Sequence, residues 1–160
     1  MLKRYLERKD EDGFTLIELM VVVLIIGILI AIGLPTFLGA RSRAQDRAAQ
    51  ADLRNALVAA KTMYTDNSTY AGATAVGLLA VETSLKTTNA ASTAATTTVS
   101  VMTTPTAAKW AAARMSASGV CFGVQDTSAA GTTMDQAAAL TATCTGDQVI
   151  TDAPTATSWT

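Results

Sequence analysis

Few side chains in this sequence could do chemistry, and their spacing limits what that chemistry is. Glu18 stands at the head of a long run with no other charge, Leu19 to Ala40. A carboxylate lying deep in a bilayer costs roughly 2.5–3.5 kcal/mol, so an acid there is read as functional and needs a partner. Cys121 and Cys144 are the only thiols, too few for a four-thiolate zinc or iron–sulfur site within one chain. There is no histidine, which removes Ser-His-Asp and Cys-His nucleophilic schemes and every histidine-containing metal site. Asp126, Asp135, Asp147 and Asp152 read as solvated loop acids, because spacings of 5–12 residues match no compact oxygen-ligand loop. Ser, Thr and Lys abound without a partner set that would activate any of them. Met102, Met115 and Met134 read as core filler. No enzyme activity, cofactor or bound metal is expected.

The elements that position Glu18 are easier to read. The 22 residues from Leu19 to Ala40 span roughly 33 Å as a helix, enough for the hydrocarbon core of a bilayer. From Phe14 to about Tyr64 only Pro35 and scattered glycines interrupt a helical pattern. The total is about 50 residues, or roughly 75 Å, and no ordinary globular helix is that long without a membrane or coiled-coil reason. Beyond Pro35, Phe37, Ala40, Ala44, Ala48 and Ala51, then Leu53, Leu57, Ala60 and Tyr64, follow a three-to-four spacing. Arg43, Asp46, Arg47, Asp52 and Arg54 interleave, as on an amphipathic helix. Pro35 lacks an N–H and would clash with the carbonyl of Ala31, and Gly27, Gly33 and Gly39 weaken the same region.

After Asn67-Ser68-Thr69 the chain turns rich in Ala, Thr, Ser and Gly. Residues 71–95 read as an irregular connection with a short helical turn around Val76–Leu79. Thr96–Thr103 and Val120–Gln125 read as strands, and Leu140–Cys144 and Gln148–Thr151 as weaker ones. Lys109–Ser116 stays open: alanine favours helix, yet Trp110, Ala112, Arg114 and Ser116 alternate with Ala111, Ala113 and Met115. Gly119 and the Asp126–Gly131 segment read as turns. Trp110, Phe122, Val124 and Leu140 argue for an ordered core against a disordered or glycosylated stalk. The expected fold is α+β: a long N-terminal helix against a small antiparallel sheet.

Gly13-Phe14-Thr15-Leu16-Ile17-Glu18-Leu19, followed by the apolar run and Pro35, resembles the N-terminal signature of type IV pilins and pseudopilins. The resemblance covers about residues 1–65. It implies a cleaved leader, 1–13, cut between Gly13 and Phe14 by a membrane-embedded prepilin peptidase, with N-methylation of Phe14. It implies a transmembrane and filament-core half of the helix at 14–40. The amphipathic half at 41–66 and an exported Ala/Thr-rich β domain at 67–160 complete the layout. In that family the new amine at Phe14 and the carboxylate of Glu18 form the assembly charge pair between stacked subunits. The segment around Gly33 and Pro35 is where the helix would loosen on entering a filament.

The implied function is a structural subunit of a type IV pilus or pilus-like filament. Its implied partners are copies of itself, the prepilin peptidase, an inner-membrane assembly platform with its motor, and membrane lipid before assembly. No nucleotide-binding loop is present, so the motor is separate. Lys3, Arg4, Arg8 and Lys9 precede the span and Arg41, Arg43 and Arg47 follow it. That bias is weak under the positive-inside rule. The resemblance therefore sets the orientation: single-pass in the cytoplasmic membrane with the C-terminal domain outside, then in an extracellular pilus. Alternatives are a pseudopilin of a type II secretion or DNA-uptake system, or a membrane-anchored binding module or enzyme. Lys and Arg number 12 against 13 Asp and Glu, and no direct nucleic-acid binding is expected. Cys121 and Cys144 lie beyond the span, where an exported domain meets an oxidising compartment. They read as a disulfide, or else as two buried free thiols.

Overall fold

The computed structural model describes residues 13–136, 143–152 and 154–159. Among the described residues, three helices, α1 (Leu16–Asn67), α2 (Ala75–Val81) and α3 (Gly146–Asp152), accompany five strands. These are β1 (Thr87–Thr88), β2 (Val99–Val101), β3 (Lys109–Met115), β4 (Cys121–Thr127) and β5 (Gly131–Gln136). The chain divides into two compact units, residues 1–40 and 41–160.

The first unit is the apolar start of α1. Its large side chains, from Phe14 through Leu38, are all exposed. By length and composition α1 is able to cross a membrane. A helix apolar on every side is stable only when lipid or other apolar surface covers it. α1 is continuous through Gly33 and Pro35. The Thr36 hydroxyl donates to the Gly33 carbonyl at 2.9 Å, one of the local side-chain bonds that helices use beside a proline.

The second unit is an α+β domain. The sheet runs β1-β2-β3-β4-β5, antiparallel throughout except for the two-residue β1–β2 pair. Alternate residues of β3 and β4 enter two cores. Trp110, Ala112, Phe122 and Val124 pack with Ala49, Leu53, Ala56, Leu57 and Ala60 of α1. Ala111, Ala113 and Cys121 pack on the other face with Cys144 and Val149, the latter from α3. This explains the ambiguous texture of 109–116. A strand covered on both faces shows no polar alternation, and its alanines let a helix come close. Gly146 is where that approach is tightest: a Cβ there would run into the backbone of Val101 and Ala111. Trp110 is fully buried, and its indole N–H donates to the Ala73 carbonyl at 3.0 Å.

Several expectations change. The buried face of α1 runs through Ala49, Leu53, Ala56 and Leu57, whereas Ala44, Ala48 and Ala51 are exposed. Alanines carry little directional information, and the two leucines set the face. Gln148–Thr151 lies in α3, not a strand. Thr145 starts that turn, its hydroxyl accepting from the Gln148 N–H at 3.2 Å. Of Leu140–Cys144, residues 140–142 lie outside the described residues, while Thr143 and Cys144 are in neither helix nor strand. The turn expected at Asp126–Gly131 shrinks to 128–130 between β4 and β5.

Asp126 is the largest correction. It is a buried residue of β4, not a solvated loop acid. It accepts the Tyr70 hydroxyl proton, accepts from Thr132 Oγ1 at 2.5 Å, and pairs with Lys61 Nζ of α1 at 3.1 Å. A buried carboxylate is tolerable only with such partners. Burial and the adjacent Asp126 carboxylate push the Tyr70 hydroxyl well above the usual tyrosine range. Asp52 of α1 and the buried Arg114 of β3 make a second tie at 3.0 Å. The other three aspartates also sit in elements: Asp135 in β5, Asp147 and Asp152 in α3. Asp147 accepts from the Thr103 N–H at 3.0 Å. Asp126→Ala is expected to cost about 3 kcal/mol, because the buried Tyr70 hydroxyl loses its acceptor and the half-exposed Lys61 its counter-ion. Urea denaturation of the domain measures it, and a loss under 1 kcal/mol would contradict the account.

Cys121 and Cys144 form a disulfide with a Cα–Cα distance of 5.8 Å. It joins β4 to the residue pair that leads into α3. Reduction is expected to lower the domain's stability by about 3 kcal/mol. Labelling of unreduced, denatured protein should find no free thiol, and two per chain would refute the bridge.

Candidate functional site

The residues singled out at the N-terminus converge on the first turn of α1. Gly13, Phe14 and Thr15 precede the helix, and Phe14 is 86% exposed. The Leu19 N–H donates to the Thr15 carbonyl at 3.3 Å, the first bond of the ladder. Thr15 is therefore the cap. Its hydroxyl oxygen accepts from the Glu18 N–H at 3.2 Å. In return the Glu18 carboxylate accepts from the Thr15 N–H at 3.1 Å and from the Thr15 hydroxyl at 2.9 Å. This reciprocal arrangement is a capping box, and it satisfies donors that the helix start leaves open. Glu18 also lies in the first turn, where the helix dipole favours an anion.

Glu18 thus has an intramolecular partner, and that partner is Thr15. With residue 13 attached, the Phe14 nitrogen is a peptide nitrogen and offers Glu18 no positive charge. The carboxylate is exposed and oriented by two donors from one side, which leaves lone pairs for a cation arriving from outside. The sequence reading passed over Thr15. The signal was available: threonine three residues before glutamate, immediately ahead of an apolar run. Gly33 and Pro35 lie toward the C-terminal end of the exposed apolar stretch of α1, and Cys121 and Cys144 are joined in the domain.

Residues 8–34 match the family model described as the prokaryotic N-terminal methylation motif. The similarity is confined to the N-terminal segment, which is like that of type IV pilins and of type II secretion core proteins G. The chain is 43% identical over 58 residues to the type IV major pilin protein PilA of Myxococcus xanthus, a stretch covering 36% of this chain and 26% of that one. It is 42% identical over 62 residues to the type IV wide pilus major component PilA4 of Thermus thermophilus, covering 39% and 47%. It is 42% identical over 66 residues to the type II secretion system core protein G of Pseudomonas aeruginosa, covering 41% and 46%. The chain therefore spans between a quarter and half the length of these relatives. No solved structure gives a significant match.

Proposed function

We propose that this chain is a structural subunit of a type IV pilus or pilus-like filament, assembled through the apolar half of α1. The observation that carries the reading is the exposed, uncharged stretch of α1 from Leu19 to Leu38, headed by the capped carboxylate of Glu18. Residues 1–13 are the leader, 14–40 the membrane and filament-core segment, 41–66 the amphipathic half, and 67–160 the exported domain. Prepilin peptidase cuts between Gly13 and Phe14, and methylation follows at the Phe14 nitrogen. The freed amine is cationic. Pairing it with Glu18 of a neighbouring subunit replaces two separately desolvated charges by one compensated pair, which fixes the axial register of stacking.

A head-to-tail contact of this kind does not close on itself, and it generates an open helical filament. Lipid covers the apolar helix before assembly and other copies of it cover it afterwards. Gly33 and Pro35 mark the segment where the helix loosens on that transfer. The inner-membrane platform and motor supply the work of extraction. Electron microscopy of sheared surface filaments, with identification of their subunit by mass spectrometry, tests the proposal. Filaments built of other proteins, with this chain left in the membrane, would overturn it.

The similarity to a type II secretion core protein favours one second reading, a pseudopilin that forms a short periplasmic filament. Deletion separates the two: loss of surface filaments marks a pilin, and loss of protein secretion with pili intact marks a pseudopilin.

A further inference from the structure

The domain carries a groove that filament assembly through the apolar helix does not use. Arg43, Asp46, Arg47 and Gln50 of α1 line one side, and Phe122 and Trp159 line the other, around about 390 Å³. That falls in the range of small-ligand sites, about 300–1,000 Å³. The aromatic wall is fixed in place. The Trp159 indole N–H donates to the Gly123 carbonyl at 3.1 Å, and Phe122 meets the ring edge-on at 6.3 Å between centroids. The Arg54 guanidinium lies 5.1 Å over the Trp159 ring.

The polar lining is net positive. Its one carboxylate, Asp46, accepts from the Ser118 hydroxyl at 2.5 Å. Arg43 and Arg47 are exposed, and among the described residues neither is in an ion pair. Four residues apart on α1, they are neighbours on one helix face, and Gln50 and Arg54 continue the row. They also occupy the first two turns after the uncharged run that ends at Ala40. Beside a bilayer, arginine and tryptophan are the side chains that settle at headgroup level. Two guanidinium groups beside an amphipathic ring suit a phosphate ester whose organic part is only weakly polar.

We propose that this groove binds the phosphate of an anionic phospholipid at the bilayer surface, holding the unassembled subunit there until it is extracted. The inference rests on reading residues 14–40 as the membrane segment. Transfer into a filament must then release the lipid, so the groove acts as a retention site that opposes premature extraction.

The test uses the full chain reconstituted in nanodiscs of equal parts phosphatidylcholine and phosphatidylglycerol, with retained lipids identified by native mass spectrometry. Two basic groups at an anionic surface should give roughly a thirty-fold preference for phosphatidylglycerol. Arg43→Gln/Arg47→Gln should bring the ratio near one with the disulfide and thermal melting unchanged. Arg41→Gln, as close to the membrane but outside the groove, should keep most of the preference. A loss for Arg41→Gln equal to that for Arg47→Gln would reveal diffuse attraction and overturn the site. Inorganic phosphate in detergent that displaces phosphatidylglycerol at equal concentration would make free phosphate the ligand, which overturns the lipid assignment. A second copy of the chain in place of lipid would overturn it too. A chain that enters the nanodisc without preference sinks the groove alone; one that fails to enter sinks the membrane reading and the groove with it.

Discussion

Replacing Glu18 with alanine is expected to leave the subunit inserted and processed but absent from filaments. Insertion should be as good or better, because the charge cost of a carboxylate at the head of the span disappears. Processing at Gly13 should continue, since the proposed cut lies on the other side of Phe14. Assembly should fail, because an incoming amine buried without its counter-charge costs several kcal/mol. The capping box supplies the necessary control. Glu18 accepts from the Thr15 N–H, so Glu18→Ala also removes the carboxylate half of the capping box. Glu18→Gln retains a side chain able to accept that bond but carries no charge. If charge pairing drives recruitment, Glu18→Gln loses filaments as fully as Glu18→Ala. If capping alone matters, Glu18→Gln assembles normally. The measurement is the ratio of processed subunit in the membrane to subunit in sheared filaments, in cells making only the variant.

The second large effect is expected at Gly13. A bulky residue there, for example Gly13→Leu, should leave nearly all of the protein as uncut precursor in the membrane. Glycine suits a peptidase site because the backbone approaches closely with no Cβ in the way. Filaments should vanish as well. The retained leader carries Lys3, Arg4, Arg8 and Lys9 with Glu7, Asp10, Glu11 and Asp12, directly ahead of the apolar helix. Burying such charges in a helix bundle costs several kcal/mol each unless each finds a partner. Intact-mass measurement of the membrane fraction reads the precursor. Normal processing of Gly13→Leu would remove Gly13 from the recognition sequence, and abundant filaments of uncut chain would contradict the charge-pair mechanism.

Legibility along the chain followed the strength of the physical signal. Between Leu16 and Asn67 a single pattern dominates, an uncharged run followed by a helix rich in alanine, and the long helix was readable from it. Its buried face was not, since Ala44 and Ala48 resemble Ala49 and Ala56 in sequence and only packing distinguishes them. In the domain, β4 was visible from Val120, Phe122 and Val124. The strand β5, Gly131–Gln136, was not, because Met134 is its one apolar residue and only pairing with β4 defines it. Helix α3 was read as a strand from Val149, Ile150 and Thr151, whose β-branching carries less weight than the Thr145 cap and the contact with β3. Asp126 read as a surface acid because its partners Lys61 and Tyr70 are 65 and 56 positions away, a separation that no local pattern reveals. The N-terminal site was legible down to Glu18, and the missing member, Thr15, was a short-range signal left unused.

The central claim is that this chain works as a processed filament subunit with its N-terminus at Phe14. The most direct measurement is the intact mass and N-terminal peptide of the subunit taken from sheared filaments. The account predicts a chain beginning at methylated Phe14, lacking residues 1–13 and holding the Cys121–Cys144 disulfide. Filaments whose subunit retains Met1, or begins anywhere other than Phe14, would contradict it.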